Sequence, residues 1–371
     1  MELKVGPIAV DPPVVLAPMA GVTNPAYRRL CRHFGPGLYV SEMITARALY
    51  ERNEKTWRMA ARADGEPVHS VQLYGVDPAV MHAAVRILVD ELGADHIDLN
   101  FGCPAPKVTR KGGGAALPAH PVLFRRVVAA AVGAAGPVPV TVKMRTGLDP
   151  AVETATEAAL IAEGEGVAAI AVHARTAEQR YAGPADWSAI ARLKEAVRSV
   201  PVLGNGDIWE AADALRMHRE TGCDGVVVGR GCLGRPWLFA ELAAAYRGAP
   251  AGADPDLGFV AAVMIRHASL LVEYLGPVAG MRDFRKHTGW YLTGFPVGAP
   301  VRQGLGRLET PEDLEGLLAG LDPRARRAAG TNRQPRGHTD GPRPVALPHG
   351  WLDRREDPAP PAGAELLVSG G

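Results

Sequence analysis

The chain has few cysteines, almost no net charge and no long apolar run. Only four cysteines occur in 371 residues, and none has CxxC or zinc-ligand spacing, which argues against a metal centre or iron–sulfur cluster. The net charge of +1 gives no general sign of nucleic-acid binding, although it leaves room for a local basic face. With no run of about 20 apolar residues and no apolar leader, we expect no membrane span and no signal peptide. A reducing, cytoplasmic location fits best.

The chain does contain eight short apolar runs between residues 14 and 228. The runs are Val14–Ala17, Leu38–Ser41, Ser70–Leu73, His96–Leu99, Val138–Val142, Ala169–Val172, Pro201–Leu203 and Gly225–Val228. Segments with helical periodicity lie between most of them: Pro78–Leu92, Pro121–Ala135, Thr154–Glu163, Trp187–Val197 and Glu210–Thr221. This alternation predicts parallel βαβ units, and eight of them predict a (β/α)8 TIM barrel. A doubly wound sheet is the alternative, but no GxGxxG follows the first run.

Polar and reactive side chains follow the ends of these runs. They are Glu42, Gln72, Asn100, Cys103, Lys143, Arg145, His173, Arg175, Asn205, Asp207 and Arg230. In a barrel the carboxyl ends of all strands meet at one face, where active sites lie. The pattern therefore predicts one catalytic face built from several strands.

Two glycine-containing turns end the last two runs. Asn205-Gly206-Asp207 follows the seventh and Gly229-Arg230-Gly231 the eighth, where barrels commonly bind phosphate. Glycine lets backbone N–H groups approach an anion, and Arg230 adds charge. Because no dinucleotide fingerprint follows the first run, a mononucleotide such as FMN fits better than tightly held NAD.

Three strand-end residues each allow more than one role. Lys143 is either a Schiff-base lysine or a cation beside a reduced flavin. His173 either hydrogen-bonds a cofactor or substrate or is a structural histidine. Cys103 is a nucleophile, a general acid or a buried apolar residue, and its place between Gly102 and Pro104 favours a chemical role.

The chain changes character after the predicted barrel, residues 1–247. Residues 255–321 contain three helical segments, Phe259–Tyr274, Arg282–Leu292 and Glu312–Leu321, and predict a small helical domain. Residues 322–371 are rich in Pro, Gly and Arg without periodicity, which predicts a disordered tail.

Residues 5 to 320 resemble the FMN-dependent tRNA-dihydrouridine synthases, most closely the bacterial B-type branch. The motifs that carry the resemblance are Ala17-Pro18-Met19-Ala20-Gly21-Val22-Thr23, Ser41-Glu42-Met43, Val71-Gln72-Leu73, Asp98-Leu99-Asn100-Phe101-Gly102-Cys103-Pro104, Lys143-Met144-Arg145-Thr146-Gly147, His173-Ala174-Arg175-Thr176, Tyr181-Ala182-Gly183-Pro184-Ala185-Asp186-Trp187 and Gly204-Asn205-Gly206-Asp207-Ile208. Arg285-Lys286-His287 and Trp290-Tyr291 resemble the C-terminal helical domain of the family. One departure is Gly112-Gly113-Gly114, which is richer in glycine than expected after the cysteine loop.

The resemblance implies reduction of uridine in tRNA to 5,6-dihydrouridine. NADPH (or NADH) would reduce FMN, hydride would pass to C6, and Cys103 would deliver a proton to C5. The implied cofactor contacts are Pro18, Met19, Ala20, Gln72, Lys143, His173, Asn205, Gly206, Asp207, Gly229 and Arg230. The implied substrate contacts, together with the basic residues near them, are Asn100, Lys107, Arg110, Arg175, Arg285, Lys286 and His287. The implied partner is tRNA, and we expect a monomer that binds neither metal nor membrane.

Two other functions compete with this one. An FMN-dependent barrel dehydrogenase for a free pyrimidine would share the barrel, the flavin and the cysteine acid, but it would not need a basic helical domain. A tRNA-binding factor that has lost its chemistry would not need Cys103 and Lys143, and both are present. A metal-dependent barrel hydrolase is weaker still, since the strand ends lack a cluster of histidines and carboxylates.

Overall fold

The structure, a computed structural model, describes residues 3–250, 252–337 and 341–364. Its main sheet is wholly parallel in the order β4-β3-β11-β10-β9-β8-β7-β6-β5. The strands are β3 (Val14–Leu16), β4 (Leu38–Tyr39), β5 (Met43–Thr45), β6 (Ser70–Tyr74), β7 (His96–Phe101), β8 (Val140–Arg145), β9 (Ala169–His173), β10 (Val202–Asn205) and β11 (Gly225–Val228). The two end strands, β4 and β5, are separated by residues 40–42 only. They are two halves of one broken strand that closes the sheet, and the predicted (β/α)8 barrel is confirmed.

An antiparallel hairpin that the sequence did not reveal precedes the barrel. It consists of β1 (Leu3–Val5) and β2 (Ile8–Val10), with three residues in each strand. Its apolar side chains join the inward-facing residues of the barrel in one buried cluster: Leu3, Val5, Val10, Val15, Ala17, Leu38, Val40, Ala169, Ala171, Leu203 and Val227. The hairpin therefore fills the amino-terminal end of the barrel and leaves the opposite end for a ligand.

The helices around the barrel begin where the sequence supplies caps. Asn24 and Asp77 each accept a hydrogen bond from a first-turn N–H, and a proline follows each of them. The helices are α1 (Pro25–Phe34), α2 (Ala46–Tyr50), α3 (Glu54–Ala60), α4 (Pro78–Asp90), α5 (Pro106–Thr109), α6 (Pro121–Ala135), α7 (Ala155–Gly164), α8 (Trp187–Ala196), α9 (Ala211–Thr221) and α10 (Leu238–Tyr246). The five predicted barrel helices are found within two residues of their predicted ends.

A helical part follows the barrel, as predicted. It comprises α11 (Leu257–Leu275), α12 (Pro277–Tyr291), α13 (Gly298–Leu305) and α14 (Pro311–Ala319). By length and composition alone α11 is apolar enough to cross a membrane. In this structure it packs against α1, α12 and α14 and buries Val260, Met264 and Leu271.

The prediction of a disordered tail does not hold for its described parts. Residues 322–337 and 341–364 lie against the barrel and the helical part, with short 3-10 turns at Thr331–Arg333 and Trp351–Arg354. Arg336 is 1% and Trp351 5% exposed, so this segment buries large side chains despite its lack of periodicity. Residues 338–340 and 365–371, also in the predicted tail, lie outside the described residues.

Candidate active site

A cavity of about 360 Å³ opens at the carboxyl end of the barrel strands. Every residue predicted to bind the cofactor lines it: Pro18, Met19, Ala20, Gln72, Lys143, His173, Asn205, Gly206, Asp207, Gly229 and Arg230. Cys103, Asn100 and Arg175 line it too. The structure thus brings together side chains that lie more than 200 residues apart in the sequence, because each follows a parallel strand.

A chain of hydrogen bonds holds the loop that carries Cys103. Asn100 Oδ1 accepts hydrogen bonds from the backbone N–H of Cys103 (2.9 Å) and of Gly102 (3.2 Å). Its Nδ2 donates to Gln72 Oε1 at 2.9 Å, and Gln72 Nε2 donates to Asp98 Oδ2 at 2.6 Å. The two amide side chains are therefore oriented by the Asp98 carboxyl and fix the turn that presents the cysteine.

Burial controls the protonation state of Cys103. Desolvation raises the pKa of its thiol, and this outweighs the opposing effects of the Ala105 backbone and of Arg145. Among the described side chains, no base forms a hydrogen bond with the Cys103 thiol. A half-buried thiol with a raised pKa stays protonated at neutral pH, which suits a proton donor better than a nucleophile.

Lys143 lies on β8 at the floor of the cavity. Its Nζ donates to Asn205 Oδ1 at 3.0 Å, and Asn205 Nδ2 donates to the carbonyl of Val227 at 2.7 Å. Burial, followed by repulsion from Arg145, lowers the pKa of Lys143 to about 8. The amino group is therefore held in place by Asn205. Because its pKa lies near neutrality, an anionic or electron-rich ligand favours its protonated form.

Arg145, at the end of β8, ties the cysteine loop after β7 to the loop after β9. Its Nε donates to the carbonyl of Gly102 at 2.8 Å, and its Nη1 donates to the carbonyls of Thr176 and Arg180, each at 2.8 Å. Burial is the main reason why its pKa falls to about 10, still far above neutrality. The charge is thus retained, and its N–H groups fix the loops that follow the two neighbours of β8 in the sheet.

His173 is uncharged at neutral pH. Desolvation and then the neighbouring cations Arg145, Lys143, Arg175 and Arg230 push its pKa well below the usual value. A neutral imidazole among four cations acts as a hydrogen-bonding group toward a ligand rather than as a charge.

Arg175 and Asp207 form a bidentate ion pair at 2.7 and 2.9 Å. Arg175 Nη2 also donates to the carbonyl of Gly183, and Asp207 accepts from the backbone N–H of Ala185. Both side chains are thus engaged with protein groups, and their clearest role here is to shape the rim of the cavity.

One end of the cavity has the character of an anion site. Arg230 lies on the 3-10 turn Arg230–Cys232 after β11, with its guanidinium 3.9 Å from the centre of the Tyr181 ring. Its Nη1 is buried without a protein hydrogen-bond partner among the described residues. An unpartnered buried donor beside Gly229 and Gly206 is suited to a phosphate oxygen. These residues fit the phosphate end of a mononucleotide.

Five predicted substrate residues lie outside the cavity. Lys107 and Arg110 are exposed on and just after α5, beside the cysteine loop. Lys286 contacts the Gly21 carbonyl and Asp283, and so joins α12 to the rim of the barrel. Arg285 donates to the Leu308 carbonyl within the helical part. His287 is fully buried and stacks on Tyr27, so the prediction that it binds substrate conflicts with its position.

The cavity also contains residues that the sequence did not single out as binding residues. Tyr181, Trp209, Trp290 and Arg336 line it. Tyr181 and Trp290 both lie in motifs that carry the family resemblance, so the sequence could have pointed to them as binding residues. Arg336 carried none, because its segment shows no periodicity.

The comparisons with known proteins agree with this geometry. A sequence model described as "Dihydrouridine synthase (Dus)" matches residues 15–327. The chain belongs to the dihydrouridine synthase family. The match includes all eight barrel strands, the cysteine loop and the four helices that follow the barrel.

Individual members of this family match the chain over most of its length. It is 54% identical to a "Probable tRNA-dihydrouridine synthase" of Mycobacterium tuberculosis over 381 aligned residues, with 100% of this chain and 97% of that protein covered. It is 39% identical to "tRNA-dihydrouridine synthase B" of Xanthomonas axonopodis pv. citri, with 86% of this chain and 98% of that protein covered. The first alignment thus extends through the C-terminal segment.

Solved structures support the barrel fold of this dihydrouridine synthase. Histamine dehydrogenase from Rhizobium sp. 4-9 superposes with a TM-score of 0.51 at 14% identity. The superposition covers 72% of this chain and 50% of that one. At this identity the similarity concerns the fold alone.

Proposed function

We propose that the chain reduces specific uridines of tRNA to 5,6-dihydrouridine, with FMN in the cavity and NADPH (or NADH) as reductant. When bound, reduced FMN supplies the hydride that reaches C6 of the uracil ring. The observation that carries the proposal is the loop of Cys103, held by Asn100 at the edge of a cavity with Lys143 at its floor. C6 gains a hydride that comes originally from the nicotinamide reductant, and C5 gains a proton.

Cys103 delivers the proton to C5 in this proposal. Its buried thiol keeps the proton at neutral pH, and the Asn100 hydrogen bonds fix the loop from which it acts. The thiolate that remains takes a proton from water once the product leaves. Asn100 lines the same cavity as Cys103 and would also orient the uracil ring.

The cavity residues divide between the two ends of the flavin. Pro18, Met19 and Ala20 would line the ring, Gln72 and Lys143 would meet its polar edge, and His173 would donate or accept a hydrogen bond beside it. Asn205, Gly206, Asp207, Gly229 and Arg230 would hold the ribityl phosphate end. The unpartnered Arg230 Nη1 is the donor that a phosphate oxygen would satisfy.

The tRNA would approach the same face. The target base must leave its stack to reach a cavity in a barrel, as base-modifying enzymes require. Lys107 and Arg110 lie exposed beside the cysteine loop and would contact the RNA backbone. We assign residues 1–247 as the catalytic domain and 255–321 as the tRNA-binding domain, with the protein acting as a cytoplasmic monomer.

A product assay tests this function. Purified protein with NADPH and unmodified tRNA transcripts should form dihydrouridine, detected by mass spectrometry of the digested RNA. Free uridine and uracil, run as parallel substrates, should remain unreduced. Reduction of the free pyrimidines but not of tRNA would instead indicate a small-molecule dehydrogenase. A protein that binds tRNA but takes up no flavin would indicate a binding factor without chemistry.

We expect the FMN affinity of the apoprotein to fall as the pH rises above about 8. Below that pH the Lys143 ammonium is charged with or without FMN, so affinity does not depend on its titration. Above it, the amino group must take up a proton before it can donate as an ammonium to the polar edge of the flavin ring, and the affinity falls by up to about ten-fold per pH unit. Quenching of flavin fluorescence measures this affinity between pH 6 and pH 10.

The matched control for this titration is Lys143→Gln. It should bind FMN more weakly at pH 7 and lose the decline above pH 8, since no ammonium remains to titrate. An unchanged decline in this variant would assign the pH dependence to another group.

A further inference from the structure

The C-terminal segment runs along the catalytic rim of the barrel. Its contacts are with the loop after β9 and with helices α7 and α6, which follow β8 and β7. The backbone N–H of Arg343 donates to Glu178 after β9, Arg355 pairs with Glu157 on α7 at 2.8 Å, and the carbonyl of Pro358 accepts from Arg126 on α6. The segment therefore lies beside the loops that build the cavity, rather than trailing from the helical part.

Trp351 is the one tryptophan of residues 322–371, and it is 5% exposed. Its ring stacks on His120 with centroids 3.5 Å apart, and its indole N–H donates to the carbonyl of Ala116 at 3.0 Å. Its own carbonyl is within hydrogen-bond contact of His120 Nε2. Ala116 and His120 belong to the chain that follows the cysteine loop, between α5 and α6.

The glycine triplet after the cysteine loop fits between Trp351 and Cys103. A Cβ on Gly112 would lie 2.6 Å from Cη2 of Trp351. A Cβ on Gly114 would lie 2.5 Å from the carbonyl oxygen of Cys103, which accepts the backbone N–H of Ala115 at 3.0 Å. Both glycines have a positive φ, of 74° and 55°. The unusual glycine content is thus explained by close packing on the indole at one end and on the cysteine at the other.

We propose that Trp351 is a positioning residue for Cys103. The indole holds the flexible Gly112–Gly114 stretch against the barrel, and this stretch in turn holds the carbonyl side of the cysteine loop, opposite the Asn100 hydrogen bonds. Without the indole, glycines with positive φ gain conformational freedom and the thiol spends less time at its reactive position. The inference rests on the proposed function for its catalytic consequence, but its geometric part is independent of that function.

The test compares Trp351→Ala with Trp351→Phe and Leu352→Ala in the full-length, FMN-loaded protein. Leu352 is the adjacent residue in the same 3-10 turn and is 39% exposed, so it is the matched control. The first measurement is the alkylation rate of Cys103 by iodoacetamide, followed by peptide mass spectrometry. Cys31, Cys223 and Cys232 are fully buried and serve as internal references. The second measurement separates flavin reduction by NADPH from flavin reoxidation by saturating tRNA.

Trp351→Ala should alkylate several-fold faster at Cys103 and reoxidise about ten-fold more slowly with tRNA. Its FMN content and its reduction by NADPH should stay within two-fold of the unsubstituted protein. Trp351→Phe keeps the stacking, so its alkylation rate at Cys103 and its reoxidation rate with tRNA should lie close to those of the unsubstituted protein. Leu352→Ala should change neither rate. Unchanged alkylation and reoxidation in Trp351→Ala would overturn the proposal. So would an equal loss of FMN content, NADPH reduction and reoxidation, because that pattern indicates general destabilisation.

A second variant keeps the proposal testable if Trp351→Ala does not fold. Gly112→Ala places a Cβ against the indole from the other side and should give the same split between the two half-reactions. Behaviour identical to the unsubstituted protein would overturn the proposal. If tRNA does not reoxidise the flavin of the unsubstituted protein, the proposed function fails, while the alkylation rates still decide whether Trp351 positions Cys103.

Discussion

Cys103→Ala should lose tRNA reduction by about 10²–10⁴-fold, the usual range for removal of a general acid. FMN content and flavin reduction by NADPH should be unchanged, because the Cys103 side chain takes no part in the hydrogen bonds that fix the cofactor end of the cavity. Stopped-flow absorbance of the flavin measures both half-reactions separately. Loss confined to the step with tRNA would assign the thiol to proton delivery.

The control for this experiment is Cys223→Ala. Cys223 is also buried but lies just before β11, at the opposite end of the barrel strand from the cavity. It should keep the tRNA-dependent step within two-fold. A Cys103→Ala variant with the full rate of this step would contradict the acid role.

The pH dependence of the same step follows from the burial of Cys103. Because burial raises its pKa, the thiol remains protonated beyond the ordinary thiol pKa of about 8.5. The rate of reoxidation by tRNA should therefore be flat through neutral pH and decline only in alkaline solution. A decline that begins below pH 7 would show that a different group donates the proton.

Arg145→Leu should destabilise the protein by about 3–5 kcal/mol, because each buried carbonyl that loses its donor costs about 1–3 kcal/mol and part of this cost is offset by relief of repulsion from Arg175 and Arg230. The substitution leaves three carbonyls, those of Gly102, Thr176 and Arg180, without their charged donor. It also frees the cysteine loop from the loop after β9. The melting temperature of the FMN-free protein measures the loss without a contribution from the cofactor.

Arg125→Leu is the matched control for this prediction. Arg125 is likewise an arginine with a 2.8 Å contact, but its partner is the Glu165 carboxylate and its side chain is 54% exposed. An exposed pair of this kind contributes about 0–1 kcal/mol. Equal melting temperatures for the two variants would show that Arg145 does not hold the loops as its contacts indicate.

The barrel and most of its cavity could be predicted because each functional residue follows an apolar run. Parallel strands align their carboxyl ends, so position in the sequence fixes position on the face for Asn100, Lys143 and His173. The helix Pro121–Ala135 was predicted to the residue, and the other four barrel helices were predicted to within two residues. The broken second strand and the three-residue strands of the hairpin are too short for their pattern to stand out.

The features that escaped prediction depend on contacts distant in sequence. His287 lies in a basic, aromatic stretch that looks like an RNA-binding surface, yet α12 turns this side chain toward Tyr27. The C-terminal segment gains its order from single anchors, such as Trp351 on His120, which leave no periodic pattern. The glycine content of Gly112–Gly114 had no explanation in the sequence because the indole that packs on it is over 230 residues away.

The most direct test of the account is a single-turnover absorbance measurement. The purified protein should be yellow, lose its flavin absorbance with NADPH under anaerobic conditions, and regain it when unmodified tRNA is added. Dihydrouridine should appear in the RNA in an amount equal to the flavin reoxidised. A protein that stays colourless with added FMN, or whose reduced flavin is reoxidised by free uracil but not by tRNA, would contradict the account.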